Sequence, residues 1–108
     1  MAVFTAKHRF ARISPSKVEY VLDLIRGRGA SEALNILEFH PRRGASLAKK
    51  VLASAIANAG LDVDVENLKV VDARVDRGPH MKRWRPAPRG MAHPILKRTS
   101  HITISVST

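Results

Sequence analysis

The chain has 108 residues, with 19 lysines and arginines against nine acids, no cysteine and a formal net charge of +10. That length suits one domain with a modest core, and the missing cysteine excludes disulfide frameworks, thiol catalysis and cysteine-ligated zinc. The N-terminal MAVFTAKHRF lacks the apolar region of a signal peptide and no apolar run reaches spanning length, so a cytoplasmic protein with no membrane partner is expected.

Residues 2 to 10 alternate, with Phe4, Ala6, His8 and Phe10 on one face and Thr5, Lys7 and Arg9 on the other. This is the period of a strand with one basic face. A helix follows in "RISPSKVEYVLDLIRGRG", with Ser14 as its N-cap and Pro15 at the first helical position, where a missing N–H costs nothing. Val18, Val21, Leu22 and Ile25 form one apolar stripe along it, and Gly27 and Gly29 stop it. Ser31 is the predicted cap of a second helix that buries Ala33, Leu34 and Leu37 and ends at His40-Pro41.

A third helix is predicted from about Arg42 to Ala59, with Ala48, Val51, Leu52, Ala55, Ile56 and Ala59 buried and Gly60 as its stop. Lys49 and Lys50 lie off that stripe. The many alanines allow close approach to neighbours, which makes this the central helix. After a polar loop, a strand runs from about Leu68 to Arg77. The last strand, "SHITISVS", points Ile102, Ile104 and Val106 one way and His101, Thr103, Ser105 and Ser107 the other. The predicted fold class is α+β: a small antiparallel sheet of about three strands packed on three helices. A long protruding β-hairpin joins the last two strands.

That hairpin connection is abnormal, because two to five residues is the usual length. From Arg77 to Arg98 it holds 22 residues, four of them proline and none acidic. At roughly 3.3 Å per residue such an arm reaches about 35 Å. Val75, Trp84, Ile95 and Leu96 are candidates for cross-strand pairing, with Trp84 against Leu96. Pro79, Pro86, Pro88 and Pro94 stiffen the arms and block edge pairing, and Gly90 is the expected turn. The chain thus divides into a globular part, about 1–76 and 99–108, and an extended hairpin, about 77–98, within one domain. A ribbon of this composition is expected to be partly mobile when free and ordered by a partner.

Charge is segregated along the chain. Residues 1–18 carry Lys7, Arg9, Arg12 and Lys17 with no acid. Residues 19–76 hold all nine acids against eight bases, and residues 77–108 carry seven bases and again no acid. Two polycationic ends around a balanced middle point to a polyanion, most simply nucleic acid. Chemistry-bearing motifs fail one by one. The five histidines are scattered, "GRG" at 27–29 follows a helix and is too short for a dinucleotide fingerprint, and Asp62, Asp64 and Glu66 read as a solvated loop. No catalytic residue, metal ligand or cofactor is assigned. In "MKRWRP" an indole stands between cations, so base stacking and phosphate contact are available together. "LKRTSH" adds short hydroxyl donors beside Lys97 and Arg98, which suits a phosphate backbone.

The stretches "RISPSKVEYVLDLIRG", "ASAIANA", "VVDARVDRGPHMKRWRPAPRG" and "ILKRTSHITI" resemble the universal large-subunit ribosomal protein family twenty-two in its bacterial form. The similarity runs in order over nearly the whole chain. The resemblance implies a non-enzymatic constituent of the large subunit that binds large-subunit rRNA early in assembly. One monomer would sit in each particle, among neighbouring large-subunit proteins. It also implies a hairpin threaded between RNA segments, whose tip lines the peptide exit tunnel near the macrolide-binding region and meets the nascent peptide. Carried onto this sequence, the tip is Ala87, Pro88, Arg89, Gly90, Met91 and Ala92. The rRNA-binding set is Lys7, Arg9, Arg12, Ser14, Lys17, Arg77, Lys82, Arg83, Trp84, Arg85, Arg89, Lys97, Arg98, Ser100 and His101. Met91 stands where the family commonly has a basic residue, and Pro88 and Pro94 are unusual, so the tip is less cationic and stiffer. From composition alone, the competing expectation is an architectural DNA-binding protein with a β-ribbon arm, which would work as a dimer.

Overall fold

A computed structural model describes residues 3–60, 63–86, 88–90 and 92–108, with only the backbone at His93. In chain order it places β1 (Val3–Ala11), α1 (Pro15–Ile25), α2 (Ala30–Phe39), α3 (Arg43–Ala59), β2 (Lys69–Arg77), β3 (Met81–Pro86), β4 (Ala92–Lys97) and β5 (Ser100–Ser107). Short 3-10 turns lie at Val65–Asn67 and Pro88–Gly90. One sheet has the order β1-β5-β2, antiparallel throughout, and β3 and β4 form a second, two-stranded sheet.

The three helices cover one face of the larger sheet because each carries one apolar stripe. Val18, Val21, Leu22 and Ile25 of α1, Ala30, Ala33 and Leu37 of α2, and Ala45, Ala48, Val51, Leu52 and Ala55 of α3 meet Ala6, Val70, Ala73, Ile102, Ile104 and Val106 from the strands. Each fully buried Leu, Ile or Val contributes about 1.5–3 kcal/mol relative to exposure. Small residues let α3 pack on α1, α2, β1 and β5 at once, so it is the central helix, as its alanines suggest. Among the described residues, the opposite face of the sheet carries no helix.

β2 would be an exposed edge, and the chain covers it locally. Gly29 bridges to Lys69, the Gly27 and Ala30 amides donate to Val70 and Leu68 carbonyls, and the Val70 amide donates to Arg28. Arg26 Nε donates to the Ala73 carbonyl at 2.7 Å while Glu19 and Asp23 hold its guanidinium. Such cover prevents pairing with another chain. The same contacts explain a correction. α2 starts with Gly29 as N-cap, and Ser31 lies inside the helix, because the Ala30 amide is already spoken for by Leu68. In the acidic loop, the Asp64 carboxylate accepts from the Glu66 amide; Asp62 lies outside the described residues.

The hairpin is divided by a joint. β2 and β5 pair as far as Arg77 and Ser100, and pairing resumes at Met81 and Lys97. Between them the Gly78 amide donates to the Thr99 carbonyl at 3.0 Å, and Thr99 Oγ1 donates to the Pro79 carbonyl at 2.6 Å. A Cβ on Gly78 would collide with that hydroxyl, so the two strands close up only with glycine here. Ser100 Oγ donates to the Ile13 carbonyl at 2.5 Å, tying the joint to the β1–α1 loop. The ribbon beyond it stretches the molecule to 64 × 23 × 18 Å. Its 16.8 Å radius of gyration exceeds the roughly 13 Å of a compact chain of this length.

Thr99→Val keeps the shape of this buried side chain but removes its hydrogen bond to the carbonyl of Pro79, an exposed residue. Urea unfolding should show a loss of about 0.5–1.5 kcal/mol; an unchanged midpoint would remove the hydroxyl from the joint.

Candidate nucleic-acid interface

The sheet order brings the two basic ends of the chain together. β1 and β5 are neighbours, so Arg12, Ser14 and Lys17 come to lie beside Lys97 and Arg98. With Ile13, Leu96 and Arg43 they line an open cleft of about 500 Å³. A smaller cavity of about 160 Å³ adjoins it, lined by Pro15, Arg77, Gly78, His80, Leu96, Arg98 and Thr99. Among the described residues, no acid lines either one.

Two helix N-termini enter this region. α1 begins at Ser14, whose backbone is extended as an N-cap should be, but whose side chain makes no capping hydrogen bond. The Ser14 hydroxyl therefore remains a donor for a ligand in the cleft. α3 begins at Arg42 and Arg43, and neither helix has an acid in its first turn. Helix N-termini carry partial positive charge and favour anions, so Lys17 and Arg43 are cations placed against the dipole. That arrangement costs stability in the free protein and is relieved by a bound phosphate. Arg43 was not among the sequence-predicted site residues. The signal was available in Arg42-Arg43 at a helix start with no acid nearby.

The ribbon has two different faces, set by its register. Lys82, Trp84 and Pro86 pair with Leu96, Pro94 and Ala92. This puts Trp84, Leu96 and three small or cyclic apolar residues on one side, with Lys82. Met81 and Arg83 pair with Lys97 and Ile95, so Arg83, Arg85 and Lys97 share the other side. Trp84 faces Pro94 directly and Leu96 only diagonally, and it is 65% exposed. The expected Trp84–Leu96 partnership is thus a diagonal contact that leaves most of the indole open. Val75 takes no part in the ribbon, because it pairs with Ile102 in the larger sheet. At the tip, Arg89 and Gly90 both have positive φ, 64° and 72°, and make the reversal together. Arg89 and Pro88 are exposed there; Ala87 and Met91 lie outside the described residues.

The remaining predicted residues separate. Lys7 and Arg9 are exposed on the uncovered face of the sheet, with His101 half-buried on β5. Ser100 is fully buried with its hydroxyl on Ile13, so it builds the joint and offers no donor to a ligand. Every ion pair among the described residues lies between Glu19 and Arg74, in the balanced middle of the chain. The cations of residues 1–18 and 77–108 have no such partner among the described residues. The described residues also contain no group of three metal-ligating side chains, and no helix long and apolar enough to cross a membrane.

A family model described as ribosomal protein L22p/L17e matches residues 6–107. The chain is 53% identical over 105 residues to the large ribosomal subunit protein uL22 of Lacticaseibacillus casei (strain BL23), covering 95% of this chain and 90% of the relative. The uL22 protein of Lacticaseibacillus paracasei (strain ATCC 334) matches with the same identity and coverage.

Arg43→Glu puts a favourable charge at the start of α3 and should raise stability by about 0.3–1 kcal/mol at low salt. The same change should weaken binding of polyuridylate and lower the salt slope of that binding by about one. Thermal unfolding and filter binding on one preparation check both signs. Unchanged polyuridylate affinity would remove Arg43 from the interface.

Proposed function

This chain belongs to the ribosomal protein L22p/L17e family and is a structural constituent of the large ribosomal subunit, and we propose that its ribbon and cleft anchor it in folded large-subunit rRNA. The ribbon's opposed faces carry this reading. Arg83, Arg85 and Lys97 share one side, where they suit phosphates, while Trp84 and the prolines on the other side give bases a flat apolar surface. A ribbon of this kind fits between two RNA segments, which no single-faced arm requires. The basic cleft at its base holds a third stretch of backbone at two helix N-termini.

On this reading the protein stabilises the tertiary fold of the rRNA during assembly by joining segments that its arm and globular part reach separately. Counterion release supplies most of the affinity, so binding weakens steeply with salt. The tip at Pro88, Arg89, Gly90 and Ala92, with Ala87 and Met91, lines the peptide exit tunnel and meets the nascent peptide. Neighbouring large-subunit proteins contact the globular part, and the protein acts as one monomer per particle in the cytoplasmic ribosome. Its role is structural, with no catalytic step.

Reversing Lys82, Arg83 and Arg85 together to glutamate should abolish stable incorporation into large-subunit particles while the isolated protein still folds, since all three are exposed. Sucrose-gradient sedimentation of tagged protein from growing cells reads the outcome. Normal incorporation of the folded triple variant would sink the anchoring role of the ribbon.

A further inference from the structure

The period of β1 predicts Phe10 in the core, beside Phe4, Ala6 and His8, and the structure puts it elsewhere. His8 pairs with Ile102 and Ala11 with Ser100, so Arg9 and Phe10 both stand opposite the single residue His101. This β-bulge hands the core position to Ala11, which is 1% exposed, and turns Phe10 out to 53% exposure. Phe10 also has φ of 60°, the left-handed region that glycine occupies freely and a bulky aromatic residue rarely does. A large apolar ring is therefore held in a strained backbone in order to face solvent. Strain of this kind points to function when the surroundings fix it.

The surroundings do fix it. The Phe10 amide donates to His101 Nδ1 at 3.0 Å, which leaves the proton of the neutral imidazole on Nε2. The two rings meet edge to face, with centroids 4.9 Å apart and planes at 88°. The Arg9 guanidinium lies 5.7 Å from the Phe10 ring. Both rings lie on the uncovered face of the sheet, beside the row Thr103, Ser105 and Ser107, whose short side chains leave the floor low. Charge on this face is lopsided: Lys7 and Arg9 are on the β1 side, while Asp72, Arg74 and Asp76 mix signs on the β2 side, with Asp76 paired to His101.

We propose that the exposed Phe10 ring, held in place against His101, stacks on one unpaired base of the bound RNA, with Lys7 and Arg9 on the phosphates flanking it. The proposal rests on the RNA-binding function above and adds a base site on the sheet face, apart from the ribbon and the cleft. Exposed aromatic faces bind unpaired bases by stacking, and adjacent cations take the backbone. The lopsided charge sets the path of the strand along β1. A partner protein would leave no reason for the flanking cations to lack acids on that side.

The test compares Phe10→Gly, Phe10→Leu and Phe10→Tyr with the wild type. Each is titrated against large-subunit rRNA transcribed in vitro, by filter binding over a salt series, and each is melted. Glycine relaxes the backbone, so its Tm should not fall. Its affinity should drop roughly 5- to 100-fold, as for the loss of one stacked base, with the salt slope unchanged. Leucine, folded but without a π-face, should bind as weakly as glycine, and tyrosine should bind like the wild type. Wild-type affinity in the glycine variant would overturn the proposal. So would a leucine variant that binds normally beside a glycine variant with lowered Tm, since the ring would then be a structural prop. Normal rRNA affinity combined with failed incorporation into particles would make the ring a protein contact and overturn it likewise. If the wild type itself shows no preference for this RNA over duplex DNA, the proposed function fails instead.

Discussion

The pairing of β5 on both its edges is the constraint from which the rest of the molecule follows. The last strand of the chain inserts between the first strand and β2, and its Ile102, Ile104 and Val106 are fully buried under the helices. There those residues meet the stripes of α1 and α3 in one core. Once β5 lies there, the acid-free N-terminal segment and the acid-free C-terminal segment are neighbours. Arg12 and Lys17 then lie beside Lys97 and Arg98 in one cleft, where like charges repel one another. Hydrophobic burial in the helices and sheet offsets that repulsion, and a polyanion removes it. The interface is thus a consequence of topology more than of any local motif.

The joint at the base of the ribbon converts this charge into a directed arm. Gly78 and the buried Thr99 and Ser100 tie β2, β5 and the β1–α1 loop together through hydrogen bonds. The cleft and the ribbon share Leu96, Lys97 and Arg98, so moving the ribbon would move the walls of the cleft. An arm held at its base by such a joint loses less freedom on binding than one on a free linker, which favours joining distant RNA segments.

The three helices were legible in the sequence because each has a clean hydrophobic stripe bounded by glycine or proline, β1 and β5 by their alternation, and the long hairpin by its length, its prolines and its lack of acids. The failures have physical causes. Phe10 obeyed the strand period and left it, because a bulge shifts register without any glycine to announce it. Ser31 looked like a cap, but the start of α2 is set by backbone contacts to Leu68 and Lys69, distant in sequence. Trp84 faced the wrong partner because register in a ribbon depends on its turn, and Arg89 shares that turn with Gly90. Arg43 was overlooked because a cation on a helix surface is ordinary; its place at a helix start without an acid was the available signal, and the fold puts it in one cleft with Lys97 and Arg98. Ser100 read as a surface donor, and the third dimension put it in the core.

The most direct test is ultraviolet crosslinking of the protein in growing cells, followed by sequencing of the attached nucleic acid and mass spectrometry of the attached peptides. The account predicts reads concentrated on large-subunit rRNA. It further predicts that adducts from the ribbon, residues 81–97, and from the cleft, residues 12–17, fall on segments far apart in the RNA sequence. Reads spread over genomic DNA would contradict it, and so would ribbon and cleft adducts on one short continuous segment.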